Sequence, residues 1–260
     1  MSSESILVAV DGPIATVTFN RPQQRNALDY AAWQRLAQVM GELSADDALR
    51  CVVLRGAGGQ AFSAGADISE FPTRRLNAQQ AAQYGAVTHR AMQAIAECRH
   101  PTLALIEGSC VGGGLEMASM CDMRICGASS RFGVPVNKLG LVMSYGELRG
   151  LIALTGSAIA MEIVLEGRVF DAREALDKRL VNRVVADAQV AEESYAAARR
   201  ICQGAPLVAR WHKRFAQRLA RPEPLTAEEW SESYACFDTE DFRIGYRAFL
   251  DKTRPEFVGR

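Results

Sequence analysis

Strand-like segments alternate with helical ones along the first half of the chain, and this alternation limits the folds that the chain can adopt. IATVTFN (14–20) alternates β-branched and small residues, whereas CVVLRG (51–56) and PTLALIEG (101–108) are continuous apolar runs. Such short runs are typical of strands that are covered on both faces. Residues 29–43 and 77–97, which lie between them, repeat apolar side chains with helical spacing. The sequence therefore predicts a layered α/β fold.

The second half of the chain is more helical. A brief strand, LVNRVV, precedes a long amphipathic stretch over residues 188–221. The segment RPEPL (221–225) predicts a break in this stretch. Thr226, with Glu229 three residues later, predicts the N-terminus of another helix.

Composition and charge exclude several classes of partner. With 30 basic and 30 acidic residues, the chain has no overall field that would attract nucleic acid or an anionic membrane. The sequence shows neither a secretory leader pattern nor an apolar run of about 18 residues, so we expect a cytoplasmic protein without membrane contact. Seven cysteines in mostly apolar runs and three histidines without ligand spacing predict reduced core thiols and no metal site.

Three consecutive glycines, Gly112 to Gly114, stand between a strand-like segment and the helix-forming LEMASM. Without side chains, backbone N–H groups at the start of a helix are open to an oxyanion. A tight turn without a ligand is the simpler explanation of the triplet alone. The loop QAFSAGADISEF supplies a second set of small residues, Ala64, Gly65 and Ala66. Two such loops could together bind one carbonyl oxygen, which favours acyl transfer or enolate chemistry.

These two motifs, FSAGADI and GGGLEMASMCD, resemble those of the enoyl-CoA hydratase/isomerase, or crotonase, superfamily. The resemblance extends from VTFNRPQQRNAL near the start to FDTEDFRIGYRAFLDK near the end. It implies a crotonase-like spiral of ββα units over residues 1–195 and a C-terminal helical trimerisation region over residues 196–260. It also implies a coenzyme A (CoA) thioester as substrate, no permanently bound cofactor, and an oxyanion hole formed by the N–H groups of Ala66 and Gly113.

Glu116 follows the glycine triplet and matches the first of the two catalytic glutamates of the hydratases. The resemblance implies that it acts as an acid/base on a water molecule, although a carboxylate in a helix's first turn also has a purely structural use. The chain departs from the hydratase pattern in FGVPVNKLG, where Val136 stands at the position of the second glutamate. Three alternatives therefore stay open: a hydratase, an isomerase or decarboxylase that needs one carboxylate, and a non-catalytic acyl-CoA binding protein.

The loop LVMSYGELRGL also departs from the hydratase pattern, and it places Tyr145 and Glu147 near the expected acyl group. Glu147 could replace the missing acid, or it could be an ordinary acidic residue in a helix's first turn. His89 shares a stripe with Met92 and Ile95, so it could face the acyl pocket or be a buried, hydrogen-bonded histidine.

CoA contacts are expected from both ends of the chain. Near the start, the predicted residues are Arg25, Ala64, Ala66, Asp67 and Ile68. Near the end, Phe249 and Lys252 match family positions that reach the adenine and the 3′-phosphate, often from a neighbouring subunit. We accordingly expect a homotrimer or a dimer of trimers.

Overall fold

The computed structural model describes residues 4–260, and it forms an α/β fold with two sheets. Its strands are β1 (Ile6–Asp11), β2 (Ile14–Phe19), β3 (Cys51–Gly56), β4 (Ala61–Ser63), β5 (Thr102–Ile106), β6 (Ser109–Val111), β7 (Met123–Gly127), β8 (Arg131–Gly133), β9 (Phe170–Asp171) and β10 (Arg183–Val185). The large sheet has the order β1-β2-β3-β5-β7-β10, and the small sheet has the order β4-β6-β8-β9.

The helices follow the predicted pattern, with one difference. They are α1 (Tyr30–Ala45), α2 (Phe71–Arg74), α3 (Ala78–Glu97), α4 (Gly113–Met120), α5 (Tyr145–Glu166), α6 (Ala172–Asp177), α7 (Val190–Cys202), α8 (Pro206–Leu219), α9 (Ala227–Glu232) and α10 (Glu240–Asp251). The stretch 188–221 forms two helices rather than one, because Pro206 lacks the N–H needed to continue α7 and instead starts α8. The capping box of Thr226 and Glu229 at the start of α9 is confirmed.

Successive strand pairs give the fold its spiral form. The pairs β3/β4, β5/β6 and β7/β8 each place their first strand in the large sheet and their second in the small sheet. A helical segment follows each pair. After the first two pairs the chain returns to the large sheet at β5 and β7, and after the third it enters the small sheet at β9. From β2 to β10, neighbouring strands of the large sheet are parallel. The predicted spiral of ββα units is therefore confirmed.

The large sheet is covered on both faces, which explains the continuous apolar runs of its strands. Val52 and Leu54 of β3 pack into a cluster with α1, α3 and α4. Their neighbours Cys51 and Val53 point into a second cluster, whose other side is formed by α7. Helix α7 covers this face of the sheet as far as Cys202.

Helix α5 is longer and more apolar than the sequence inspection expected. By length and composition alone it could cross a membrane, with a mean hydropathy of 1.7 over its 18-residue window. Gly156, at φ 75° and ψ 164°, breaks the helix near its middle. Each of the two parts is then about half as long as the roughly 20 residues that a bilayer crossing requires.

A buried arginine fixes the end of α4, the helix that includes Glu116. Arg124 is 3% exposed, and its Nε donates to the Leu180 carbonyl at 2.8 Å. Its Nη1 donates to the carbonyls of Ala118 and Cys121, which lie at the C-terminal end of α4. A cation at this end satisfies carbonyls without helical partners and complements the helix dipole.

Candidate active site

Two backbone loops meet at the carboxyl ends of β4 and β6, which are parallel neighbours in the small sheet. Gly65, in the loop after β4, has a φ of +88°, which disfavours any residue with a side chain. A Cβ at Gly65 would lie 2.5 Å from the amide nitrogen of Gly113 at the start of α4. The loops can therefore approach this closely only because neither residue has a side chain.

The two predicted oxyanion donors lie side by side at this contact. Leu28 bonds to both neighbours of Ala66, through its N–H to the Gly65 carbonyl and through its carbonyl to the Asp67 N–H. In this parallel pattern the Ala66 N–H points away from Leu28. Among residues 4–260, no hydrogen bond uses it.

Gly113 is the first residue of α4, so its N–H has no partner within the helix. A Cβ on Gly113 would lie 3.5 Å from the Ala66 nitrogen, which places the two amide groups next to each other. Two adjacent free donors at a helix N-terminus can bind one carbonyl oxygen.

Glu116 lies beside these donors and is buried, with 5% of the residue exposed. Its Oε2 is 3.6 Å from the position that a Cβ on Gly113 would take. Burial, and next the negative charge of Glu147, raise the pKa of Glu116 to about 8, while Arg75 acts in the opposite direction. The carboxyl group of Glu116 is therefore protonated at neutral pH.

The donors and Glu116 open onto a cavity of about 130 Å³. Six of the predicted site residues line it: Ala64, Ala66, Ile68, Gly113, Glu116 and Glu147. Val136 lines it as well, so an apolar side chain faces the cavity where the hydratase pattern has its second glutamate. The structure thus brings the two sequence motifs and the divergent loop to one place.

Glu147 caps α5 and also lines the cavity, so its position fits both of the interpretations that the sequence left open. Its Oε2 accepts a hydrogen bond from the Ser144 N–H, which completes the capping box at the start of α5. The same side chain lines the cavity and contributes to the raised pKa of Glu116. The cap holds a second carboxylate within electrostatic range of the first.

Two residues that were expected near the acyl group, Tyr145 and His89, lie outside the cavity. Tyr145 is 97% exposed and does not line the cavity. His89 is exposed, so neither reading of it was right: it is not buried, and it is not part of the lining. Its ring packs against Gly146, where a Cβ would fall 2.2 Å from the imidazole Cε1. Met92, one helical turn on, faces the cavity instead.

The expected CoA contacts lie outside the cavity of the single chain, apart from Ala64, Ala66 and Ile68. Arg25 is exposed. Its carbonyl accepts a hydrogen bond from the Ala64 N–H at 2.9 Å, so Arg25 lies beside the loop that follows β4. The Asp67 carboxylate already binds Arg21 and Ser69. Phe249 and Lys252 are exposed at the end of α10.

Sequence reasoning missed Arg75, which also lines the cavity. The residue belongs to the segment PTRRLNAQQ, whose polar composition resembles that of any solvated loop. In the folded chain Arg75 lines the cavity, whereas Arg74 is half-exposed and pairs with Glu70 outside it.

Comparison with known proteins extends the similarity to the entire chain. The model of the family "Enoyl-CoA hydratase/isomerase" matches residues 10–260. The chain is similar to a solved enoyl-CoA hydratase/carnithine racemase from Magnetospirillum magneticum, with a TM-score of 0.98 and 47% identity over 100% of this chain and 97% of that one. A solved enoyl-CoA hydratase from Bacillus anthracis gives a TM-score of 0.91 at 27% identity, covering 99% and 100% of the two chains.

A curated relative shows the same extent of similarity. The short-chain-enoyl-CoA hydratase of Clostridium acetobutylicum is 31% identical over 258 residues, which are 98% of each chain. The similarity therefore includes both loops of the cavity as well as the fold.

Replacing Glu116 by glutamine is expected to stabilise the fold increasingly as the pH rises. A carboxyl group whose pKa is higher in the folded chain binds its proton more tightly there, so its contribution to stability falls between pH 4.5 and about 8. Each pH unit in this interval lowers the wild-type free energy of unfolding by about 1.4 kcal/mol. Thermal unfolding of Glu116→Gln and wild type between pH 5 and 9 measures the difference. The exposed Glu223→Gln is the control, and a difference that does not change with pH would contradict the assignment.

Proposed function

The chain belongs to the enoyl-CoA hydratase/isomerase family, and we propose that it hydrates 2-enoyl-CoA thioesters. The observation that supports hydration is the presence of two free amide donors and two carboxyl groups in one cavity. The donors match a thioester oxygen, and the carboxyl groups match the two proton transfers of hydration.

The N–H groups of Ala66 and Gly113 bind the thioester carbonyl oxygen. As water adds to Cβ, negative charge develops on this oxygen, and donors that are already in place stabilise it. One such donor is typically worth about 2.7 to 4 kcal/mol of transition-state stabilisation. Since both donors belong to the backbone, the site depends on loop conformation rather than on side-chain identity.

Glu116 and Glu147 share the proton transfers. One carboxyl group takes a proton from the water whose oxygen bonds to Cβ, and the other gives a proton to Cα. Hydration needs one proton on the pair at the start. Burial and the charge of Glu147 keep that proton on Glu116 at neutral pH. Glu147 thus supplies, from the start of α5, the second carboxylate that Val136 does not provide.

Glutamine at either position should lower turnover of crotonyl-CoA by at least about 100-fold, the low end of what a positioned acid or base contributes. Glu147→Gln tests the pair cleanly because glutamine preserves the capping box. The matched control is Glu229→Gln, which makes the same substitution in the capping box of α9, outside the cavity. Steady-state hydration with product identification measures all three variants.

The runner-up function is double-bond isomerisation or decarboxylation, and Val136 is the observation that favours it. Either reaction stabilises an enolate in the same oxyanion hole and can proceed with one carboxyl group. Full turnover by Glu147→Gln together with loss in Glu116→Gln would support the runner-up and contradict hydration by a pair.

Gly65→Ala should lower turnover by about 100-fold, the loss typical of one missing oxyanion donor. The new Cβ would lie 2.5 Å from the Gly113 nitrogen, so the two loops must separate. Gly41→Ala is the control because a Cβ there meets nothing within 4 Å. The donor assignment fails if folded Gly65→Ala, checked by circular dichroism, keeps wild-type turnover.

CoA binding is proposed to involve a neighbouring subunit. Phe249 is 84% exposed and Lys252 is exposed, so both are free to reach a substrate bound in another chain. The C-terminal region exposes further large apolar side chains, namely Leu219, Trp230, Tyr234, Phe237 and Leu250. This exposure supports assembly through the C-terminal region.

The chain is expected to elute as three or six copies of 28.3 kDa in size-exclusion chromatography with light scattering. Substrate lacking the 3′-phosphate should have a roughly tenfold higher KM, which corresponds to one charged contact. Lys252→Ala should remove this difference, whereas the exposed Arg254→Ala should retain it. A monomer with wild-type KM would contradict the proposal.

A further inference from the structure

Arg75 is a cation in the cavity without an anionic partner. In the described part of the chain, no carboxylate oxygen lies within 4.0 Å of its guanidinium nitrogens. Its Nε is buried and has no hydrogen-bond partner. Buried polar groups are almost always paired, and burying an unpaired charge is costly. The half-buried guanidinium is therefore open to an anion that a ligand would bring into the cavity.

The guanidinium is held in place by its surroundings. Its central carbon lies 4.6 Å from the ring centre of Phe71 and 5.1 Å from that of Tyr84, which are cation–π distances. The Arg75 N–H donates to the Phe71 carbonyl at 2.9 Å, at the C-terminal end of α2. A cation fixed in this way is ready to bind an anion without further ordering.

The nearby carboxylates are engaged elsewhere. Glu70 accepts from the Tyr30 N–H at 2.8 Å and pairs with Arg74, not with Arg75. Glu147 accepts from the Ser144 N–H. The pKa of Glu116 keeps its carboxyl group neutral at pH 7, so it gives Arg75 no charge partner.

The geometry limits both the type and the position of the missing anion. A planar guanidinium binds a carboxylate through two parallel hydrogen bonds. Glu116, beside the oxyanion donors, marks the reacting carbons of a bound thioester. Arg75 lines the same cavity but lies beyond 4.0 Å from the Glu116 carboxyl oxygens, so an anion bound to Arg75 is separated from the reacting carbons, which fits a group at the far end of the acyl chain.

We propose that the preferred acyl group ends in a carboxylate that binds Arg75, so that the substrates are CoA thioesters of dicarboxylic enoic acids. This inference rests on the proposed function and names its substrate class. Arg75 is then a residue for specificity and takes no part in the proton transfers. A terminal ammonium group in the same position would be repelled by the guanidinium.

A series of enoyl thioesters of similar length and different terminal charge tests the proposal. The anionic member is glutaconyl-CoA, the neutral member is trans-2-hexenoyl-CoA, and the cationic member is 4-(trimethylammonio)but-2-enoyl-CoA. Wild type should show the highest kcat/KM for the anion and the lowest for the cation. The ratio of anion to neutral should fall about 100-fold in Arg75→Met, as expected for loss of a bidentate charged pair. The change should appear mainly in KM.

Two further variants separate specificity from structure. Arg75→Lys keeps the charge and should restore part of the ratio, because an ammonium binds a carboxylate without the planar fork. Arg74→Met removes the adjacent, half-exposed cation and should leave the wild-type ratio. An unchanged ratio in Arg75→Met overturns the proposal. An equal rise in KM for all three thioesters also overturns it, because Arg75 would then bind the CoA moiety.

Binding of unreactive thioesters distinguishes failure of this proposal from failure of the proposed hydration. Calorimetric titration with glutaryl-CoA and hexanoyl-CoA measures the charge preference without chemistry. Tighter binding of glutaryl-CoA that Arg75→Met abolishes supports the inference even if no enoyl thioester is hydrated. Equal binding of the two, with crotonyl-CoA hydrated normally, rejects the carboxylate and leaves hydration standing. A preference for methylmalonyl-CoA over glutaryl-CoA would place the carboxylate at Cα and overturn the assignment to the chain end.

Discussion

The close approach of two backbones at Gly65 and Gly113 is the constraint on which the rest of the site depends. A Cβ at Gly65 would lie 2.5 Å from the Gly113 nitrogen, closer than real Cβ atoms come to other groups. The approach is possible because β4 and β6 are parallel neighbours, so that the loops leaving them emerge at one edge. Both the pair of free amides and the position of Glu116 follow from this contact.

The cavity concentrates ionisable groups in a place where water is scarce. Glu116 is 5% exposed, and its pKa of about 8 reflects burial together with the charge of Glu147. A carboxyl group that is costly to ionise in the folded chain lowers the free energy of unfolding at pH values above its unfolded pKa. Perturbed pKa values of this kind are common at sites that transfer protons. Arg75 acts against the shift, so the protonation state of the cavity depends on three side chains together.

The position of the second carboxylate illustrates how a site can be rebuilt from local structure. Val136 leaves an apolar surface where the hydratase pattern has a glutamate, and the start of α5 brings Glu147 to the same cavity. The capping box with Ser144 fixes this side chain through the backbone of its own helix. A residue that stabilises a helix end is thereby also placed to act on a ligand.

Strand and helix periodicity and the glycine motifs are local properties of the chain, so the secondary-structure elements and the family were predictable without the fold. The strands around residues 14–20, 51–56 and 101–108 were predictable in this way, whereas the pairing of Ala66 with Gly113 was expected from the resemblance of two motifs to a known family. Which charged side chains face the cavity depends instead on packing between segments that are distant along the chain. Arg74 and Arg75 are adjacent and chemically identical, but it is Arg75 that packs on the Phe71 and Tyr84 rings and lines the cavity. The expected position of His89 was wrong for the same reason. Helical spacing places His89 on the same side of α3 as Met92, but its ring packs against Gly146 and is exposed.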